Sequence, residues 1–152
     1  MENKVKKAII TLSKVFPATH SKKGKKTFFR EKLELGDKIH TIRANYDWWA
    51  KKANLINKGK MYLSIRQWND KPYFSKQDEI KRISKIGLQK ITMTYDSSDS
   101  LPQVWIDDKK IPIQQVAKND CLSVDDFIEW FFGKSKSNVF EGVVIHFTSF
   151  RY

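Results

Sequence analysis

GDKIHTIRANYDWW, residues 36–49, packs a glycine stop, a short strand, a polar break and a helix start into one stretch. Gly36 closes a preceding helical run, and His40 to Arg43 reads as a strand. Asn45 or Asp47 is placed to cap a helix through Trp48, Trp49, Ala53, Leu55 and Ile56, whose spacing is helical, with Gly59 as its stop. Lys38, Thr41 and Arg43 crowd into the same stretch. In a continuous strand Lys38 and Thr41 would point to opposite faces, so they converge only if Lys38 lies in the turn before the strand, as Gly36-Asp37 permits. Thr41 and Arg43 share a face.

Outward from this stretch the pattern stays short and mixed. On its N-terminal side Val5 to Leu12 reads as a strand ended by Phe16-Pro17. Residues 19–26, THSKKGKK, read as a mobile basic loop. Thr27 is placed to cap a short helix from Phe28 to Leu35, with Phe28, Phe29, Leu33 and Leu35 facing inward. On the C-terminal side, Lys60 to Trp68 alternates, with Met61, Leu63, Ile65 and Gln67 on one face and Tyr62, Ser64, Arg66 and Trp68 on the other. One or two strands follow between Tyr73 and Thr94, and a hairpin turns at Asp107-Asp108. Ser123 and Asp126 form a capping-box pattern before the apolar helix face of Val124, Phe127, Ile128 and Phe131. Phe140 to Phe147 has the character of a central strand. The expected fold is α+β: one domain over residues 1–152, a small mixed β-barrel with about three short helices covering its ends.

The net charge is +12, unevenly distributed. Residues 1–30 carry nine Lys or Arg against one acid, residues 38–90 thirteen against four, and residues 91–152 six against nine. A basic face opposed by a near-neutral one attracts polyanions, which makes RNA or a nucleotide the expected partner, with Lys22, Lys23, Lys25 and Lys26 as phosphate contacts. The alternatives are an idle lysine-rich surface and an acidic partner protein. No apolar run is long enough to span a membrane, and the start MENKVKKAII lacks the apolar core of a leader. The single cysteine, Cys121, cannot form an internal disulfide, which fits a reducing cytoplasm. His20, His40 and His146 are too scattered for a metal motif, and no phosphate-cradling glycine loop is present. No metal or cofactor is expected.

The chemistry-bearing residues each admit two readings. Lys38 is either a solvated turn residue or a sheltered amine able to act as a base. Thr41 is an ordinary strand residue or a hydroxyl donor. Arg43 can offer its planar fork to a phosphate, or pair internally with Asp120 and so occupy that carboxylate. Trp49 falls on the apolar helix face and is expected in the core. Tyr46, Trp48, Trp68 and Tyr73 lie beside Arg43, Arg66, Lys71 and Lys76, a mixture suited to stacking on unpaired bases or to packing in the core.

The order of GDKIHTIR, YLSIRQW, NDCLSVDDFIEWF and VVIHF resembles that of the ASCH family, from about residue 28 onward. The matching positions are Gly36, Lys38, Thr41 and Arg43, then Asp120 and Cys121 before the aromatic helix; Cys121 stands where the family usually has glycine. The resemblance implies a PUA-like barrel and RNA-linked function, with Lys38, Thr41, Arg43, Arg66 and Asp120 lining a cleft. One branch, small bacterial acetylcytidine amidohydrolases, uses a lysine, a threonine three residues later and a carboxylate before the last helix. By position these are Lys38, Thr41 and Asp120. The carboxylate in that branch is a glutamate, so Asp120 is one methylene shorter.

Overall fold

The computed structural model describes residues 5–133 and 137–152. In chain order the elements are β1 (Lys6–Leu12), α1 (Phe29–Glu34), β2 (His40–Arg43), α2 (Tyr46–Asn57), β3 (Met61–Trp68), β4 (Gln77–Ile83), β5 (Gly87–Thr94), β6 (Gln103–Ile106), β7 (Lys109–Lys110), α3 (Ile113–Asn119), α4 (Val124–Phe132) and β8 (Val139–His146). The protein is therefore mixed α+β, with four helices among the described residues where the sequence pattern gave three. The additional one is α3, which follows the β6–β7 hairpin.

Two sheets form, ordered β1-β3-β4 and β2-β8-β5-β6-β7, and no closed barrel is found among the described residues. β1 runs parallel to β3, with Lys6 opposite Met61 and Leu12 opposite Gln67, while β4 returns antiparallel to β3. β8 is an interior strand, antiparallel to β2 on one side and β5 on the other. Its Val143, Val144 and Ile145 are fully enclosed, which is what an unbroken β-branched run achieves between two partners. The edges of the two sheets meet where the Arg43 guanidinium of β2 donates to the Thr11 carbonyl of β1 at 3.1 Å.

Local signals explain most boundaries. At the end of α1, Gly36 takes φ 85° while its N–H donates to Leu33 and that of Asp37 to Lys32, a Schellman stop that turns the chain inward at Lys38. Asn45 caps α2 by accepting from the Trp48 N–H, and Ser123 caps α4 by accepting from that of Asp126. Asp107 and Asp108, both at positive φ, make the two-residue β6–β7 turn. Trp49, Ala53 and Ile56 bury the inner face of α2. On α1 only Phe29 and Leu33 are buried; Phe28 and Leu35, expected inward, are exposed, because a helix of six residues covers the sheet with a single stripe. No helix among the described residues is long and apolar enough to cross a membrane.

Candidate functional site

The chain leaving Gly36 delivers Lys38 into the interior before β2 begins, so Lys38 and Thr41 do face one space. Lys38 is 2% exposed. Its ammonium donates to Asp120 Oδ1 at 2.8 Å and to the Asp120 carbonyl at 2.9 Å, and lies 4.3 Å from the centre of the Phe29 ring. Asp120 is held at the C-terminal end of α3, where Lys32 also donates to the Cys121 carbonyl and Ile39 N–H to that of Asn119. Two ammonium groups at the carbonyls just past the end of α3 complement the negative end of the helix dipole. The helix absent from the sequence reading is thus the element that positions the carboxylate.

Burial lowers the Lys38 pKa, and the Asp120 charge and hydrogen bond oppose that only in part. Burial also pushes the Asp120 carboxyl upward, but Lys38 and His40 outweigh it and hold the carboxyl below its usual range. The partner of Asp120 is Lys38 and not Arg43, the pairing the sequence left open. Arg43 instead leaves β2 toward the edge of β1, where Nη1 donates to Thr41 Oγ1 at 2.7 Å and to the Ile42 carbonyl, and Nη2 to Thr11. Burial lowers its pKa and Asp120 partly restores it; the guanidinium stays charged. Thr41 Oγ1 accepts from Arg43, and its own O–H meets no acceptor among the described residues.

Lys38, Thr41, Arg43 and Asp120 line one niche with Ser13, closed by Phe29, Trp130 and Phe131; its volume is ≈ 20 Å³. That is room for about one water. Leu12 and Ser13 line the niche and also line a groove of ≈ 580 Å³ that runs past Lys14, Pro17, Trp68, Lys71 and Tyr73. Trp68 and Tyr73 tilt against each other at 5.2 Å, Tyr73 is 85% exposed, and Lys14 ties the rim to the Asn69 carbonyl at 2.7 Å. Groove volumes of roughly 300–1,000 Å³ suit small ligands.

The other expected contacts fall elsewhere. Arg66 lies on the outward face of β3, donating to Ser64 Oγ and Gln77 Oε1, and does not line the niche. Trp48 is exposed on α2, edge-on to Trp49 at 4.8 Å and 5.0 Å from Lys52 Nζ. In the basic loop Lys23, Lys25 and Lys26 are exposed, whereas Lys22 pairs with Asp126 of α4 at 2.7 Å. The same loop is fastened by buried His20 and by Ser21, which donates to Glu129 through both its N–H and its hydroxyl. Among the described residues no group of three or more His, Cys, Asp or Glu is arranged to hold a metal.

Sequence reasoning missed a buried polar chain behind Asp120. Asn119 Nδ2 donates to the Tyr152 hydroxyl at 3.0 Å, and that hydroxyl pairs with His40 Nε2 at 2.6 Å. His40 Nδ1 faces Asp120 Oδ1 at 3.6 Å, just beyond hydrogen-bonding distance, and has no hydrogen-bond partner among the described residues. His146 meets His40 edge-on at 5.6 Å and pairs through Nε2 with Gln89 Oε1 at 2.9 Å. Burial, then the charges of His40 and Arg151, press the His146 pKa down to about 3, and burial raises that of Tyr152. His40 and Tyr152 are 112 positions apart, and no local pattern links them. Comparison of the chain with protein-family models, curated proteins and solved structures returns no match.

Proposed function

We propose that this protein is an ASCH-type, PUA-like module that binds RNA or a nucleotide in the groove between Ser13 and Tyr73. The observation that carries the reading is the shared wall: Leu12 and Ser13 join an aromatic groove with lysines at its rim to the niche of Lys38, Thr41, Arg43 and Asp120. A base stacks on Trp68 and Tyr73 while Lys14 and Lys71 lie beside the phosphates, and Ser13 and the free O–H of Thr41 supply polar contacts at the inner end. Two backbone features support the family reading. Cys121 has φ 61°, a conformation in which glycine is unstrained, at the position where the family usually has glycine. The edges of the two sheets approach each other at Arg43 and Thr11, the seam along which a barrel would close.

The second reading, an amidohydrolase acting on an acylated pyrimidine nucleoside such as acetylcytidine, is favoured by the convergence of Lys38, Thr41 and Asp120 on one niche. It requires a neutral Lys38 and a substrate carbonyl beside it. Here the ammonium is held by two hydrogen bonds to Asp120 and the niche admits a water, so binding is the better-supported role. The test is a titration of cytidine monophosphate and acetylcytidine against the wild type, Trp68→Ala and Thr41→Val, with hydrolysis of acetylcytidine followed in parallel. Loss of one stacking contact of about 1–3 kcal/mol weakens binding several-fold or more in a folded Trp68→Ala. Unchanged binding removes the groove from the account. Turnover that disappears in Thr41→Val replaces the binding reading with the hydrolytic one.

A further inference from the structure

Beyond the groove, the outward face of the β1-β3-β4 sheet carries a second set of groups suited to the same kind of ligand. Along β3 the side chains that alternate to the face away from the core are Tyr62, Ser64, Arg66 and Trp68; Ser64 is itself covered, at 0% exposed, and the other three are half-buried. Trp68 stands at the groove. Tyr62, at the opposite end, lines an open cleft of ≈ 690 Å³ with Lys6, Lys7, Lys52 and Arg82, and no acidic residue is among its lining. The Arg82 guanidinium lies 4.6 Å over the Tyr62 ring; its Nε is held by Glu79 at 2.6 Å while the side chain stays 63% exposed. Lys6, Lys7 and Lys52 make no ion pair among the described residues.

The ground between the two ends is compatible with a chain crossing it. Ile9 of β1, opposite Ser64, is 40% exposed and offers an apolar step, and Thr11 stands opposite Arg66. Glu79 on β4 is the carboxylate of this middle ground, and it is neutralised within the face: Ser64 Oγ and Arg82 Nε both donate to it, and those hydrogen bonds lower its pKa. From Tyr62 to Trp68 is six residue steps, about 20 Å at roughly 3.3 Å each. A single nucleotide does not reach from one end to the other; a short single-stranded segment does.

We infer that the outward face of the β1-β3-β4 sheet is a binding track for single-stranded nucleic acid, running along β3 from the Trp68 groove to the Tyr62–Arg82 cleft. The inference rests on the groove reading for one end of the track and extends it: the ligand is an oligonucleotide segment, with bases stacked at Trp68 and at Tyr62–Arg82, and with Lys7 and Lys52 on its phosphates. Aromatic and guanidinium planes on an open sheet are a known way of holding splayed bases, and unpaired lysines at one end supply the counter-charge.

The experiment measures binding of uridine monophosphate and of oligouridylates of two, four and eight nucleotides, as a function of salt. It is run on the wild type, Tyr62→Ala, the double variant Lys7→Gln with Lys52→Gln, and Trp68→Ala. Affinity is expected to rise with length to about four nucleotides and then level off, the low end of footprints for single-strand binding folds. Tyr62→Ala should weaken octamer binding about tenfold and leave the mononucleotide unaffected. The lysine double variant, which alters exposed Lys7 and half-buried Lys52 outside the hydrophobic core, should reduce the log–log salt slope for the octamer by about 1.4. Octamer affinity equal to that of the mononucleotide, or octamer binding unaltered in both distal variants, overturns the track while leaving the groove standing. Octamer binding that depends on both Tyr62 and Trp68 with no mononucleotide binding at all supports the track and removes the mononucleotide-binding reading of the groove; octamer binding that depends on Tyr62 and not on Trp68 overturns the track as drawn. Polyglutamate competing as strongly as the octamer assigns the face to an acidic protein and overturns the inference.

Discussion

Replacing Lys38 by methionine removes one charge of a buried pair and leaves the other in place. Asp120, 5% exposed, loses the 2.8 Å contact to its carboxylate and the 2.9 Å contact to its carbonyl, while methionine still fills the space against Phe29. Breaking a buried pair in this way costs about 3–5 kcal/mol, against about 0–1 kcal/mol for a surface pair. For a chain of this length the loss lowers Tm by roughly 10 °C or more. The penalty also depends on pH with a definite sign. In the wild type the Asp120 carboxyl lies below its unfolded value, so its contribution is present above about pH 4 and is lost as the pH falls through the folded value. Without Lys38 the desolvation that already pushes this carboxyl upward is opposed only by His40 and the Arg43 charge, and a folded value above the unfolded one favours the native state at low pH. The gap between wild type and variant should therefore be widest near neutrality and narrow on acidification. Urea unfolding of the wild type, Lys38→Met, Asp120→Asn and the double variant at several pH values measures it. The double variant should be clearly more stable than additivity predicts. Additive losses, or a Lys38→Met effect below about 1 kcal/mol at neutral pH, would show that the pair is not buried as described.

Three further outcomes are expected. A Cβ on Gly142 collides with the Arg43 carbonyl oxygen across the β2–β8 ladder, so Gly142→Ala should cost about 1–3 kcal/mol and loosen β2, read by urea melts and by hydrogen exchange at Ile42. Cys121→Gly relieves a left-handed conformation and, after the larger unfolded-state entropy of glycine is allowed for, should stabilise the protein by about 0.5–1 kcal/mol in the same assay. His146, with its pKa at about 3 when folded against 6.5 otherwise, binds its proton more readily in the unfolded chain, so stability is lost as pH falls from 6.5 toward 3. The loss is on the order of 2–4 kcal/mol, and His146→Gln, which keeps a donor toward Gln89 and cannot titrate, should flatten that limb of the acid-unfolding curve.

What the sequence made legible was governed by how local each determinant is. The alternation of β3, the Asn45 and Ser123 caps and the Gly36 and Gly59 stops are decided within a few residues, and all appear where the pattern puts them. The convergence of Lys38 and Thr41 was legible as a condition on the turn at Gly36. α3 was not legible: Pro112 precedes it, no side chain caps it, and its buried Ile113, Val116 and Ala117 span too few turns to establish a period. The partners of Asp120 were equally hidden. Arg43 and Lys38 carry the same charge, and only the direction in which β2 points Arg43, toward the free edge of β1, decides that the lysine takes the carboxylate. The stacking candidates divided for the same reason: Trp68 and Tyr73 meet through the turn between β3 and β4, whereas Trp48 is carried away on the outer face of α2.

The groove beside the Lys38 niche is tested most directly by the indole N–H resonances of the five tryptophans during a titration with cytidine monophosphate. Trp68 lines the groove, while Trp49 is 6% exposed in the core of α2. Saturable movement of the Trp68 resonance with Trp49 unmoved is the result the account predicts. A Trp68 resonance that stays in place while the nucleotide binds, or an absence of binding altogether, contradicts it.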